Sequence, residues 1–329
     1  MDTPISLATD YAGLRLHNPF IVSSSGLTDS ADKVRVLEQE GAAAVVLKSL
    51  FEEQIELSAE KDLKSGQEYP EAYDYIRTYV RDNQIDQYLH LIRACKASVS
   101  IPIIASINCY TKSSWISFAK EIENAGADAI EVNIMIVNVS KEYQYGETER
   151  LYVEILRALK KIVKIPVIIK LSHQLTSPVA LLSQLSLNGA DAVVLFNRSY
   201  TPDVDIKSLK LTNSGGLGAQ TNFNESLRWI GIGSGRVPHL DLSVSGGVAK
   251  PEDAIKALLV GASTVSLCSV LYKEGTGTIG KMIDRLTEWM EVHGFDSIES
   301  FRGILNSSHI PDESIYERSQ FMRYYANRK

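Results

Sequence analysis

Residues 124–138 read N-A-G-A-D-A-I-E-V-N-I-M-I-V-N, and the fold turns on them. N-A-G-A-D reads as the end of a helix, turned back by a glycine in the left-handed conformation. The apolar run that follows, 129–132, reads as a short strand covered on both faces, with Asn133 standing where it ends. The same ending recurs at Glu40-Gly41-Ala42, Asn188-Gly189-Ala190-Asp191 and Val260-Gly261-Ala262.

Outward from this stretch the unit repeats. Runs rich in Val, Ile and Ala predict strands at 20–22, 42–47, 101–107, 129–132, 167–171, 192–196, 240–244 and 264–267. Helices are predicted between them at about 30–40, 114–124, 147–163, 177–187 and 251–259, with another at 278–292 after the last strand. Eight strand–helix units imply a single-domain α/β protein, residues 1–329, folded as a (β/α)8 TIM barrel rather than a doubly wound sheet. Two half-apolar runs around Ala12-Gly13 predict an N-terminal hairpin ahead of the barrel.

Two intervals break the rhythm. Residues 51–100 are acidic and rich in tyrosine (Tyr69, Tyr73, Tyr75, Tyr79, Tyr88), and 197–240 contain Ser214-Gly215-Gly216-Leu217-Gly218. Both read as long loop insertions at strand carboxyl ends, where barrels carry lids and substrate contacts. The tail 312–329 reads as helical, with Tyr316, Phe321, Tyr324 and Tyr325 suited to packing on the barrel or on a second copy in a homodimer.

Composition narrows the class. With 329 residues, 44% hydrophobic, 22% charged and a formal charge of −6, the chain suits a globular protein and argues against nonspecific nucleic-acid binding. M-D-T-P-I-S-L lacks the features of a signal peptide, and no apolar run approaches a membrane span of about 18 residues. Cys95, Cys109 and Cys268 are few and scattered, which suits a reducing, cytoplasmic setting and gives no disulfide, metal or iron–sulfur pattern.

Polar residues gather where the predicted strands stop: Ser24-Ser25-Gly26, Lys48-Ser49, Ser106, Asn108, Asn133, Lys170, Asn197, Ser245-Gly246-Gly247 and Cys268-Ser269. One lysine after a strand is ordinarily a snorkelling surface group. Two lysines and three asparagines, all at strand carboxyl ends, converge on one pocket in a barrel. Glycines after the seventh strand let backbone N–H groups approach a phosphate.

These motifs carry a family resemblance. N-P-F-I-V-S-S-S-G at 18–26, Lys48-Ser49, the asparagine of E-V-N, I-I-K-L at 168–171, G-G-L-G at 215–218 and S-G-G-V-A-K-P-E-D-A at 245–254 resemble class 1 dihydroorotate dehydrogenases. V-L-F-N-R-S-Y-T-P-D-V-D at 194–205 is similar to the dihydroorotate dehydrogenase-like branch. The resemblance implies bound FMN, with Ser24, Ser25 and Gly26 along its ring, and Lys48, Ser49 and Asn133 near the polar edge. Lys170 is then implied at the N1–C2 region, and Gly216, Gly218, Ser245, Gly246, Gly247, Cys268 and Ser269 around ribityl and phosphate. A small-molecule substrate, dihydroorotate by default, is implied beside Lys48, Asn108, Asn133 and Asn197. Electrons are expected to leave by a soluble acceptor or a redox partner protein.

The departures are as informative. N-L-S-C-P-N of the family reads N-I-M-I-V-N here, so Ile136 stands where the family's proton-abstracting cysteine would be. Arg198 follows Asn197 where the family has serine. The base is left unassigned: His173, with an ordinary pKa near 6.5, comes ahead of Tyr143, Tyr145 and Cys109 as a candidate, and each of the four reads first as a loop residue without catalytic duty. Three readings therefore stand: a flavin oxidoreductase on dihydroorotate or another substrate, a flavin-binding regulatory or complex subunit, and a lyase or aldolase using Lys170 or Lys48 as a Schiff base.

Overall fold

A computed structural model describes residues 5–51, 70–108, 115–134, 137–198, 202–213 and 223–317. The chain opens with an antiparallel hairpin, β1 (Thr9–Tyr11) and β2 (Leu14–Leu16), turning at Ala12-Gly13 as the sequence predicts. Then come β3 (Phe20–Val22), α1 (Ala31–Gln39), β4 (Ala44–Val46), a short β5 (Leu50–Phe51) and α2 (Pro70–Ser98). The middle of the chain alternates β6 (Ile103–Asn108), α3 (Trp115–Asn124), β7 (Ala129–Asn133), α4 (Glu147–Lys160), β8 (Val167–Leu171), α5 (Pro178–Leu187) and β9 (Ala192–Leu195). A second hairpin, β10 (Pro202–Asp205) with β11 (Lys210–Asn213), precedes α6 (Phe223–Arg236). Last are β12 (Asp241–Ser245), α7 (Pro251–Leu259), β13 (Thr264–Leu267), α8 (Ser269–Glu274), α9 (Thr278–His293) and α10 (Ser314–Glu317).

Parallel pairing runs β4-β3-β13-β12-β9-β8-β7-β6, and β6 pairs back to β4, which closes eight strands into a barrel. The (β/α)8 expectation is met. Two regions read as loop insertions carry more structure than that reading allowed: 51–100 contains the 29-residue α2, and 197–240 contains a hairpin and α6. Polar and aromatic composition hid α2 because its apolar face is narrow, with Tyr88, Leu89, Ile92 and Cys95 buried at helical spacing.

The G-A-D endings have a specific task. Asp128 accepts hydrogen bonds from the Ile103 N–H (2.7 Å) and the Lys96 ammonium (2.8 Å). Asp191 does the same one unit later, with the Val167 N–H and Lys160. Gly126 and Gly189 have φ of +96° and +85°, and this left-handed turn brings each aspartate back onto the start of the neighbouring strand.

Alternation along the strands divides the core in two. Val167, Ile169 and Leu171 of β8 face the helices, as do Ile130 and Val132 of β7. Inward, an apolar floor is built from Ile21, Ala44, Val46, Ile104, Ala129, Ile168, Ala192 and Val194, and Tyr11, Ala12 and Leu16 of the hairpin plug it from below. The Ala12 N–H donates to Asp241 (2.9 Å), fixing the plug. Above this floor the inward positions turn polar: Ser106, Glu131, Lys170, Ser243 and Ser266, all buried.

The C-terminal segment packs on the barrel as far as residue 317. Arg236 of α6 is ion-paired with Glu313 and Glu317, and the Tyr316 ring lies against Gly231. The rest of the aromatic tail, with Phe321, Tyr324 and Tyr325, lies outside the described residues.

Candidate active site

Register alone brings the central groups together. Asn108 pairs with Asn133, and Asn133 with Lys170, so three adjacent strands end in inward polar side chains at one height. Asn197, just past β9, donates its amide N–H to the Asn133 Oδ1 at 2.6 Å, and its own backbone N–H reaches the Leu171 carbonyl at 2.7 Å. Two asparagines are thereby held in fixed orientation on one side of the mouth.

Opposite them runs a chain of hydroxyls. Ser24 and Ser49 Oγ lie 2.9 Å apart, Ser49 and Ser106 Oγ 2.6 Å apart, and the Ser49 N–H also donates to Ser24 (2.8 Å). This chain is braced from outside the barrel. The Tyr88 hydroxyl donates to the Ser106 carbonyl (3.0 Å) and accepts from the Ser106 N–H (2.7 Å), and burial raises its pKa. Tyr152 repeats the device, donating to the Ile134 carbonyl (2.7 Å) and accepting from the Ser172 N–H (3.2 Å). Tyr88, expected on a lid, is therefore a buried clamp on a strand end. Composition placed it in a loop; only the helix shows that it faces inward.

Lys170 is 5% exposed and its ammonium lies 3.4 Å from Glu131, itself 3% exposed. Cys268 sits nearby, hydrogen-bonded to Ser25, its thiol pushed up by burial and drawn down less strongly by that bond and by the charges of Lys170 and Arg198. Ser25, Lys170 and Arg198 thus all act on Cys268 at the mouth. Gly26 is crowded by Tyr272 of α8, since a Cβ there would lie 2.9 Å from the tyrosine hydroxyl.

After β12 the backbone takes two consecutive left-handed steps, Gly246 at φ +83° and Gly247 at +82°. Two glycines in succession leave a concavity without side chains in which backbone N–H groups can approach an anion. The loop is held by Asp253 of α7, which accepts from the Ala249 and Lys250 N–H groups at 3.1 and 3.2 Å. Ser245, at the end of β12, accepts from the Phe196 N–H, and Ser269 opens α8 beyond Cys268. Lys48 differs from the other candidates: its backbone binds Thr28, and its side chain is exposed at the rim.

His173 is half-buried against Phe196, ring centroids 4.5 Å apart, with Nδ1 3.7 Å from a Glu225 carboxylate oxygen. Burial lowers its pKa, opposed by the smaller effect of Glu225. It belongs to an aromatic contact beside the mouth. Ile136, Cys109, Gly216 and Gly218 lie outside the described residues.

Glu131 and Arg198 complete the constellation. The first escaped sequence reading because E-V-N sits within an apolar run, although the two-residue alternation from Ala129 through Glu131 to Asn133 marks all three as inward. The donor set suits a flat group with a polar edge and a phosphate tail: a buried cation, fixed amides and hydroxyls, and a glycine concavity.

Fold and mouth together define a (β/α)8-barrel protein with a cationic polar pocket at the strand carboxyl ends. The model of the family described as dihydroorotate dehydrogenase matches residues 6–290, and the chain belongs to that family of oxidoreductases. It is 27% identical over 307 residues to the dihydroorotate dehydrogenase B (NAD(+)) catalytic subunit of Thermoplasma acidophilum, covering 91% of this chain and 98% of that protein. Its counterpart from Thermoplasma volcanium is 29% identical with the same coverage. The NAD-dependent dihydropyrimidine dehydrogenase subunit PreA of Escherichia coli K12 is 23% identical over 325 residues, 94% of this chain and 79% of that protein. No helix among the described residues is long and apolar enough to cross a membrane.

Proposed function

We propose that the protein binds FMN in the barrel mouth and oxidises or reduces a C–C bond of a small substrate, with dihydroorotate, and hence pyrimidine biosynthesis, as the default. The supporting observation is the convergence of Lys170, Asn133, Asn197, the Ser24–Ser49 hydroxyls and the Gly246-Gly247 turn on one pocket. FMN, when bound, supplies the hydride acceptor. Lys170 places positive charge at the polar edge of the ring, an electrostatic role that requires no proton transfer. Ser24, Ser25 and Gly26 lie along the ring; Ser49 orders Ser24 through two hydrogen bonds. Gly246, Gly247, Cys268 and Ser269 would hold the phosphate end, a role the resemblance extends to Gly216 and Gly218. Asn108, Asn133 and Asn197 orient substrate, and Lys48 closes on it from the rim.

Relatives named as catalytic subunits and as subunit PreA support electron transfer to a partner protein or soluble acceptor, and the setting is proposed to be the cytoplasm. The barrel itself is proposed to form a homodimer. A second reading is favoured by Ile136: a flavin-binding homologue acting on another substrate or serving as a non-catalytic subunit. Loss of a positioned base costs about 10²–10⁴ in rate, so the two readings differ measurably.

The purified protein is expected to be yellow or to take up FMN stoichiometrically. A colourless protein that does not quench FMN fluorescence on titration refutes the proposal. Slow or absent bleaching by anaerobic dihydroorotate supports the second reading, whereas bleaching within the mixing time supports dihydroorotate as substrate.

A further inference from the structure

The proposed role of Lys170 leaves Glu131 without a function. A carboxylate 3% exposed in a barrel interior is costly to bury unless something answers its charge. Among the described residues the Lys170 ammonium, at 3.4 Å, is the cation that answers it, and that lysine is also enclosed. Both side chains point inward because β7 and β8 alternate: Glu131 sits one step below Asn133, and Asn133 is the register partner of Lys170. The carboxylate therefore approaches the ammonium from the floor side and leaves its remaining donors to the mouth.

The surroundings of Glu131 permit no other partner of opposite charge among the groups it acts on. Its field reaches the phenols of Tyr11, from the hairpin plug, and Tyr88, the clamp on Ser106, and in both cases it adds to burial in keeping the phenol protonated. Asp241 lies on the same floor, also acting on Tyr11. Negative charge thus lies on the floor side of Lys170, which stands between it and the mouth.

We infer that Glu131 is a positioning residue: it fixes the direction of the Lys170 ammonium and partly cancels its charge, setting the strength of the positive field that the mouth presents to a bound flavin. The inference rests on the FMN reading above. It makes the buried pair a tuning element, since the same lysine without its carboxylate would present a larger positive field.

Sulfite adds to oxidised flavin and leaves the ring negatively charged, so its dissociation constant reports that field without turnover. Glu131→Gln keeps an acceptor oxygen for Lys170 and removes the negative charge. Sulfite is expected to bind the FMN-loaded Glu131→Gln protein at least threefold more tightly than wild type. In the Lys170→Met background burial keeps the unpaired Glu131 carboxyl protonated, so the same substitution is expected to have no such effect. A change below threefold, or an equal change without Lys170, overturns the inference. Should Glu131→Gln alone fail to fold or load FMN, melting temperatures decide. The Lys170→Met/Glu131→Gln double variant must then melt above Lys170→Met at neutral pH, because the second substitution removes a carboxyl that has to be protonated to stay buried; equal or lower melting overturns the pairing. A wild-type protein that takes up no FMN defeats the FMN proposal and this inference with it, whereas FMN-loaded variants indistinguishable from wild type defeat this inference alone.

Discussion

Replacing Tyr88 with Phe removes one oxygen and leaves the ring, so it isolates the clamp on Ser106. The ring keeps its tilted contact with Phe118, centroids 6.0 Å apart. Two hydrogen bonds vanish, at 3.0 and 2.7 Å, both to the backbone of a fully buried residue. The Ser106 N–H is left without its tyrosine partner in the barrel wall, and a buried donor so stranded costs about 1–3 kcal/mol. Taking about 2 kcal/mol, and an unfolding entropy of roughly 2.1 cal/mol/K per residue over 329 residues, the melting temperature should fall by about 3 °C.

The functional consequence follows from connectivity. Ser106 Oγ is 2.6 Å from Ser49, which orders Ser24 at the mouth. FMN affinity should therefore weaken by about half to one order of magnitude, in line with roughly 1 kcal/mol of lost ordering. Calorimetric melting of the apo protein and fluorescence titration of FMN measure the two effects separately. A melting shift below 1 °C would refute the clamp. A normal shift with unchanged FMN affinity would show that the hydroxyl chain does not reach the ligand.

Three further outcomes are expected. Gly231→Ala places a Cβ 2.5 Å from the Tyr316 ring and should cost about 1–3 kcal/mol as overpacking; Tyr316→Ala should recover much of it, read by urea unfolding. The folded pKa of His173 is lowered, chiefly by burial, so the unfolded chain holds more protons at pH between that value and about 6.5. Its contribution to stability is complete above the unfolded value and is lost as pH falls through the folded one. Urea midpoints at pH 7.5 and 5.5 should differ less in His173→Asn than in wild type, and an unchanged difference would remove His173 from the account. Ile136→Cys should accelerate bleaching by dihydroorotate, tested by anaerobic stopped flow; no gain would show that this position does not face the reacting carbon.

Much of the architecture was legible because barrel strands are written twice, once in apolar runs and once in the helix endings before them. Gly126 and Asp128 report both that a helix has ended and where the next strand is tied. The strand carboxyl ends gave the positions of Asn133, Lys170 and Asn197 for the same reason, since a polar residue ending a buried run has one direction in which to point. Two kinds of feature were not legible. The long helix Pro70–Ser98 looked like a loop because polar residues run all through it, and among its described side chains only Tyr88, Leu89, Ile92 and Cys95 are buried apolar ones. Glu131 was passed over because it lies inside a strand that otherwise reads as apolar, and its meaning depends on Lys170, 39 residues away.

The division between strand-borne and loop-borne residues also bears on how the chemistry of this chain can have changed. Asn133 and Lys170 are hydrogen-bonded members of adjacent strands, and a shift at either would disturb the barrel wall. Glu131 and Ser106 are more constrained still, each buried and paired in register with the other. Position 136 lies three residues past the end of β7, where a change of side chain leaves the strand register intact. Selection acting on substrate can therefore alter the position where the family resemblance implies a proton acceptor without loosening the proposed grip on the flavin. Arg198, just past β9, is free to vary on the same argument, yet its charge reaches Cys268 inside the mouth. On the proposed reading, isoleucine at 136 and arginine at 198, both beyond the strand ends, are what a change of substrate on an unchanged frame would look like.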